Sequence, residues 1–310
     1  MSSISELYAL LKKQGYHFVG QHSAVKTCLW LNKSLRNEGV CYKSKFYGIS
    51  SHRCIQMTPT LRCNHRCIFC WRPIEMIVPK HGWDSPETIV DGCITAQMRL
   101  VSGYAGAPTT DLSRLEEAKH PKHAAISLAG EPTLYPFLAE LIDEFHGRNM
   151  STFLVTNGTH PETLANVKPT QLYVSLNAPD KETYTKVCNP IRDEWAKIND
   201  SLELLSTLKT RTAIRITLVE GLNLKEPEKY ARLVAKAEPD YVEVKAYMHL
   251  GFSRQRLPRS AMPSHSKVLD FAKRFADASG YQIADEAEIS RVVLLSEDGK
   301  IEKISLTSAD

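Results

Sequence analysis

The chain has 310 residues, 43% of them hydrophobic and 24% charged, with a formal net charge of +4. That length makes one large or two ordinary domains, with a core that needs no disulfides. No apolar run approaches the ~18 residues of a membrane span, and the amino terminus lacks a signal-peptide pattern, so a reducing cytoplasm and no membrane partner are expected.

Residues 1–52 read as a helical amino-terminal extension, followed by a larger unit over 53–310. Residues 1–72 carry eleven Lys and Arg against Glu6 and Glu38, so this segment is +9 and the remainder −5. Such a basic stretch offsets thiolate charge or attracts a polyanion. Six of the eight cysteines lie within residues 1–70, which favours metal ligation over a disulfide framework. Cys28, Cys41 and Cys54 recur with twelve residues between successive members. Two of the three lie among polar neighbours, such as Asn37-Glu38-Gly39 and Tyr42-Lys43-Ser44, which disfavours a merely buried role.

From residue 53 onward, short apolar runs alternate with stretches of helical period, the pattern of a parallel α/β sheet. Strands are expected at 53–58, 124–128, 152–156, 172–176, 213–219 and 241–246, with helices such as 136–148, 195–208 and 226–237. Six such units make a partial (β/α)6 TIM-like barrel rather than a closed eightfold one. Ile89, Cys93, Ala96 and Leu100 mark one helical face, which places Cys93 in the core. Cys188, before Asn189-Pro190, shows no signal of a role. At the carboxyl end, 291–296 and 301–306 read as a hairpin around Glu297-Asp298-Gly299.

Cys63, Cys67 and Cys70 form a Cys-x3-Cys-x2-Cys run directly after the first barrel strand. Three soft thiolates at this spacing suit a cubane [4Fe–4S] cluster with one iron left open. A structural zinc site is the alternative, with Cys54, His52 or His65 as fourth ligand. Barrels of this kind gather their sites at the carboxyl ends of strands. Gly130-Glu131-Pro132, Thr156-Asn157-Gly158 and Ser175-Leu176-Asn177 fall there on successive strands, and Arg215-Ile216-Thr217 lies on the fifth.

The cysteine run, with Phe69 before its last member, resembles the radical S-adenosylmethionine (SAM) superfamily. The resemblance implies that the open iron binds the amino and carboxylate groups of SAM. Gly130 and Glu131, after an Ala129 that replaces the family's first glycine, then stand where the methionyl amine is bound. Ser175, Asn177 and Arg215 take the ribose and carboxylate, Asn157 joins the cofactor-binding set, and Phe69 packs near the adenine.

Both three-cysteine sets together, with Ser127-Leu128-Ala129-Gly130-Glu131-Pro132 and Lys245-Ala246-Tyr247-Met248-His249, resemble the tRNA 4-demethylwyosine synthases of the wybutosine pathway, in their stand-alone archaeal form. This implies a radical SAM lyase that modifies tRNA and carries two [4Fe–4S] clusters, the second on Cys28, Cys41 and Cys54. It implies condensation of pyruvate carbons with N1-methylguanosine beside the anticodon, to give the tricyclic 4-demethylwyosine base, with an external one-electron donor. Pyruvate is then held by chelation at the second cluster, the preferred expectation, or by a lysine Schiff base. Lys43 is the first candidate for the latter, with Lys45 and Lys26 behind it. Trp71, Phe46, Tyr47 and Tyr247 are candidates to stack on the target base, and Arg62, Arg66, Arg72 and the Arg254/Arg256/Arg259 loop to grip phosphates. Two other classes stay open: a radical SAM enzyme acting on a peptide or small molecule, and a zinc-stabilised RNA-binding protein without catalysis.

Overall fold

The computed structural model describes residues 4–80 and 82–305. The amino-terminal segment holds helix α1 (Ile4–Lys13), strands β1 (His17–Val19) and β2 (Ser23–Val25), and helices α2 (Leu29–Leu35) and α3 (Tyr42–Tyr47). Six strands follow: β3 (Cys54–Thr58), β4 (His123–Ile126), β5 (Ser151–Thr156), β6 (Gln171–Ser175), β7 (Arg211–Leu218) and β8 (Tyr241–Ala246). Each pairs in parallel with the next. Between them run α4 (Pro86–Ser102), α5 (Leu112–Ala118), α6 (Leu138–Gly147), α7 (Pro161–Leu164), α8 (Lys181–Cys188), α9 (Trp195–Leu205) and α10 (Pro227–Ala237). Helix α11 (His265–Ser279) and strands β9 (Gln282–Ala287) and β10 (Val292–Ser296) complete the chain. The result is a partial (β/α)6 barrel within a sheet ordered β1-β2-β3-β4-β5-β6-β7-β8-β10-β9.

Alternation along the strands sets the two faces. On β8, Val242, Val244 and Ala246 join the main core with Ile214, Ile216 and Leu218 of β7. That core takes in the apolar stripes of the covering helices, such as Tyr230, Ala231 and Val234 of α10 and Phe271 and Phe275 of α11. The intervening residues Tyr241, Glu243, Lys245, Ala213 and Arg215 line the barrel interior. Helix α3 plugs that interior: Phe46 and Tyr47 pack with Phe153, Tyr173, Ala213, Tyr241, Val292 and Leu294. Burying each of these two rings contributes about 1.5–3 kcal/mol.

Two expectations are corrected. The extension is not purely helical, because β1 and β2 pair antiparallel and β2 adds to the edge of β3. The carboxyl-terminal hairpin has another partner: β10 pairs with β9 and β8, and residues 301–305 form no strand. They run along α3 instead, where the Ile304 N–H donates to Tyr47 O at 2.9 Å and Ile301 and Ile304 pack against the interior cluster. Leu306 lies outside the described residues. Among the described residues no helix is long and apolar enough to cross a membrane.

Candidate functional site

The cysteine loop leaves β3 and is laced to the turn after β4. Thr58 Oγ1 donates to Ala129 O at 2.5 Å and to Thr60 O at 2.7 Å, and the Glu131 N–H donates to Arg62 O at 2.7 Å. Gly130 makes this closeness possible. Its φ is +69°, and a Cβ there would run into the carbonyl oxygens of Thr60 and Arg62. Gly130→Ala is therefore expected to cost about 2–5 kcal/mol, from left-handed strain plus the clash with backbone. Gly103→Ala, with open space at its Cβ, should stay within ~0.5 kcal/mol; chemical denaturation of both variants checks the contrast.

Glu131 ties the strand ends together. Only 2% exposed, it accepts at Oε1 from Thr133 N (3.1 Å), Thr133 Oγ1 (2.7 Å) and Thr156 Oγ1 (2.6 Å), and at Oε2 from Asn157 N (2.8 Å). Asn157 Nδ2 in turn donates to Asn64 Oδ1 of the cysteine loop at 2.7 Å. Asn177 Oδ1 accepts from the Thr217 N–H at 3.0 Å, which docks the end of β6 on β7.

These groups surround one cavity of about 950 Å³, part of it open to solvent. Its lining unites Cys63, Cys67 and Cys70 with Phe69, Gly130, Glu131, Asn157, Ser175 and Asn177. Nine of the sequence candidates thus meet at the carboxyl ends of the strands. Arg215 does not: it lies deeper, committed to Glu243 and Tyr42, and does not line this space.

Burial pushes the Cys63 thiol up to about 12, opposed chiefly by the Arg72 guanidinium. Such thiols need a metal to stay deprotonated. The His65 N–H donates to Cys63 Sγ at 3.4 Å, a fixed donor to a would-be ligand sulfur. His65 itself is bound to the Tyr184 hydroxyl at 2.8 Å and held neutral by burial, with its pKa lowered to about 4. Of the other fourth ligands a zinc site would need, His52 is bound to Ser34 at 3.2 Å and Glu117 at 2.8 Å, and Cys54 belongs to the second set.

Arg256 has a different task from the one expected of it. Its side chain is only 15% exposed and pairs with Glu75 at 3.0 Å. It donates to the carbonyls of Ile68, Cys70 and Arg72, bracing the cysteine loop rather than facing solvent. Cys188 was not found by sequence reading. Its sulfur lies within 4.8 Å of the ligand atoms of Cys67 and His65, on the cavity wall. Tyr184 and Trp195 share that wall, and neither had a sequence signal. Phe46, Tyr47 and Tyr247 are core residues at 0–2% exposure, so they present no face for stacking a base.

The second cysteine set assembles at the other end of β3. Cys28 and Cys41 are the N-caps of α2 and α3, and Cys54 opens β3. Cys28 Sγ accepts from the Leu31 N–H at 3.3 Å. Burial raises the Cys54 thiol, and the charges of Cys28 and Cys41 raise it further, while Lys43 opposes them. Lys43 is 8% exposed, over the rings of Phe153 (4.4 Å) and Tyr173 (4.7 Å). Burial, then the Arg215 charge, lowers its pKa to about 8. Lys45 instead pairs with Asp285 at 2.7 Å near the surface, and Lys26 lies over Tyr16 and Trp71.

Beside Lys43 stands a buried polar group. Glu243 accepts from Tyr47 and Tyr173, each at 2.9 Å, and pairs with Arg215 at 2.9 Å. Burial opposes its charge, yet Arg215 and Lys43 keep its pKa below the ordinary carboxylate value. Glu243→Gln leaves Arg215 without its counter-charge and is expected to cost about 3–5 kcal/mol in denaturant unfolding.

Residues 57–234 match the family described as the radical SAM superfamily, and residues 236–297 match that of wyosine base formation. The tRNA 4-demethylwyosine synthase of Pyrococcus abyssi is 53% identical over 304 residues, 94% of this chain and 89% of that one. The chain belongs to the tRNA 4-demethylwyosine synthases of the radical SAM superfamily. Among solved structures, that of an archaeal TYW1 matches this synthase with a TM-score of 0.82 at 36% identity, covering 99% of each chain. The structure of TYW1 with a lysine–pyruvate adduct bound matches it with a TM-score of 0.90 at 41% identity, covering 96% of this chain and 98% of that one.

Proposed function

We propose that this protein condenses pyruvate carbons with N1-methylguanosine beside the tRNA anticodon, forming the tricyclic 4-demethylwyosine base. The observation that carries this reading is the convergence of Cys63, Cys67 and Cys70 with the polar strand ends in one cavity, in a chain that also buries Lys43 beside a second cysteine set. The donor set fits a [4Fe–4S] cluster, because three otherwise free thiols share one cavity wall beside Arg72. Cys63, Cys67 and Cys70 would hold the cluster, which with SAM bound and one electron from an external donor would supply the radical chemistry needed at the N1-methyl group.

The chain's own residues position the reactants. The Gly130–Glu131 turn shapes the end of the cavity that would receive the methionyl part of SAM. Asn157, Ser175 and Asn177 offer polar groups to the nucleoside, and Phe69 an apolar face. Cys28, Cys41 and Cys54 fit a second cluster, with their sulfurs at two helix starts and a strand start.

Pyruvate we assign to Lys43 as an imine, in preference to chelation alone. In support, the amine is desolvated, has its pKa lowered to about 8, and rests on aromatic faces that fix its direction. A relative's structure holds a lysine–pyruvate adduct. An amine so lowered is partly neutral near physiological pH and can act as a nucleophile.

tRNA binding falls to exposed cations of the cysteine loop and of the 254–259 loop. Arg66, Arg254 and Arg259 are exposed, and each phosphate contact adds about 0.9 to the slope of log affinity against log salt. Replacing these three with Ala should weaken tRNA binding and flatten the slope by ~2–3, as filter binding across a salt series would show. An unchanged slope would assign the interface elsewhere. The activity is tested by anaerobic reconstitution, incubation with SAM, pyruvate, reductant and methylguanosine-containing tRNA, and nucleoside analysis. Formation of the tricyclic nucleoside supports the reading; SAM cleavage without any tRNA product would refute it.

A further inference from the structure

Lys245 has no part in the reading so far. It shares the interior face of β8 with Glu243 and stands in register with Thr217 of β7. Thr217 holds Asn177, and Asn177 lines the cysteine cavity. Toward the barrel interior, Lys245 feels the charges of Arg215, Glu243 and Lys43, and its Nζ lies 5.9 Å from the ring centre of Tyr42. It therefore shares the barrel interior with Arg215, Glu243 and Lys43.

The charges around it do not balance. Three cations, Arg215, Lys43 and Lys245, face a single carboxylate, Glu243. Glu243 is already taken by Tyr47, Tyr173 and Arg215. Among the described residues, Arg215 has the ion pair with Glu243, and neither ammonium has one. Lys43 has the sulfurs of Cys54 and Cys41 as further neighbours, a second source of negative charge once they ligate a metal. Lys245 has no such source, since Glu243 is the one negative group acting on it and the other two, Arg215 and Lys43, are positive. Burial and the Arg215 charge lower the Lys245 pKa to about 8, so an anion arriving beside it on this interior face would favour its charged form.

We propose that Lys245 is the anchor for the carboxylate of the 2-oxo acid, holding it while Lys43 condenses with the adjacent carbonyl. This rests on the assignment of pyruvate to Lys43. In the condensation, neutral Lys43 Nζ bonds to the keto carbon and the carbon–oxygen bond breaks. The oxygen leaves as water, and one proton taken up leaves the imine protonated. The carboxylate stays on Lys245 throughout, so the keto carbon is presented to Lys43 in one orientation. Lys245 thereby also selects for a 2-oxo acid over a neutral ketone of the same shape.

Borohydride trapping on the reconstituted full chain tests this, with pyruvate and its uncharged amide, pyruvamide, titrated in parallel and the adduct at Lys43 read by peptide mass. The native protein should be half-saturated at a pyruvate concentration well below that of pyruvamide. Lys245→Met should raise the pyruvate value about 10–100-fold, the worth of a charge-assisted hydrogen bond, and leave the pyruvamide value near its native level. Lys245→Arg, which keeps the charge, should retain most of the preference. A Lys245→Met protein that still prefers pyruvate overturns the inference, as does loss of the preference in Lys245→Arg to the same extent as in Lys245→Met. Absence of any adduct in the native protein is a different failure: it removes the Lys43 assignment and this inference with it.

Discussion

Replacing Cys63, Cys67 and Cys70 together with Ala is expected to remove about half of the iron bound after anaerobic reconstitution and all reductive cleavage of SAM. The two cysteine sets are independent in space: one lines the cavity at the carboxyl ends of the strands, the other sits at the amino end of β3 and the caps of α2 and α3. Losing one set therefore leaves the other intact. The reciprocal change of Cys28, Cys41 and Cys54 should also halve the iron but keep SAM cleavage, while the tricyclic product disappears. Colorimetric iron, acid-labile sulfide and 5′-deoxyadenosine measured on the same samples separate these outcomes. Loss of the full iron content from either triple change, or zinc in place of iron, would contradict the two-cluster account.

Lys43→Arg should abolish the borohydride-trapped pyruvate adduct and lower product formation by about 10³-fold, equivalent to ~4 kcal/mol of barrier. Arginine keeps the positive charge facing Cys54, Cys41 and Glu243, so a purely electrostatic role would survive the change. Its guanidinium does not deprotonate and cannot form the imine. Substantial turnover in Lys43→Arg, with no adduct in the native protein, would return pyruvate to chelation at the second cluster. SAM cleavage in the absence of pyruvate is the control, since Lys43 does not line the cavity that holds Cys63, Cys67 and Cys70.

The barrel strands were legible because each carries a short apolar run whose neighbours switch to helical period. The cavity was legible because its polar residues fall at the ends of those runs, where Gly130, Asn157 and Ser175 now stand together. Arg215 stands apart from that cavity for a reason the sequence hides. It alternates with Ala213 on the interior face of β7, and its partner Glu243 lies one strand away in the fold. Cys188 could not be joined to Cys67 by spacing, because α8 and the intervening strands bring it there.

The terminal strands failed on pattern. β9 reads Gln-Ile-Ala-Asp-Glu-Ala and is largely exposed, so no alternation announces it. Residues 301–305 carry two isoleucines, Ile301 and Ile304, three apart rather than alternating, and these serve the cluster around α3. β1 and β2 have three residues each, too short for a period to show.

The central claim is that one chain couples a SAM-cleaving cavity to a pyruvate site in order to build a base on tRNA. The most direct measurement is mass spectrometry of nucleosides from methylguanosine-containing tRNA incubated with the reconstituted protein, SAM, reductant and carbon-13-labelled pyruvate. The account predicts a tricyclic nucleoside that carries label from pyruvate and forms only when SAM is present. A tricyclic product without label, or labelled pyruvate consumed with the methylguanosine unchanged, would contradict it.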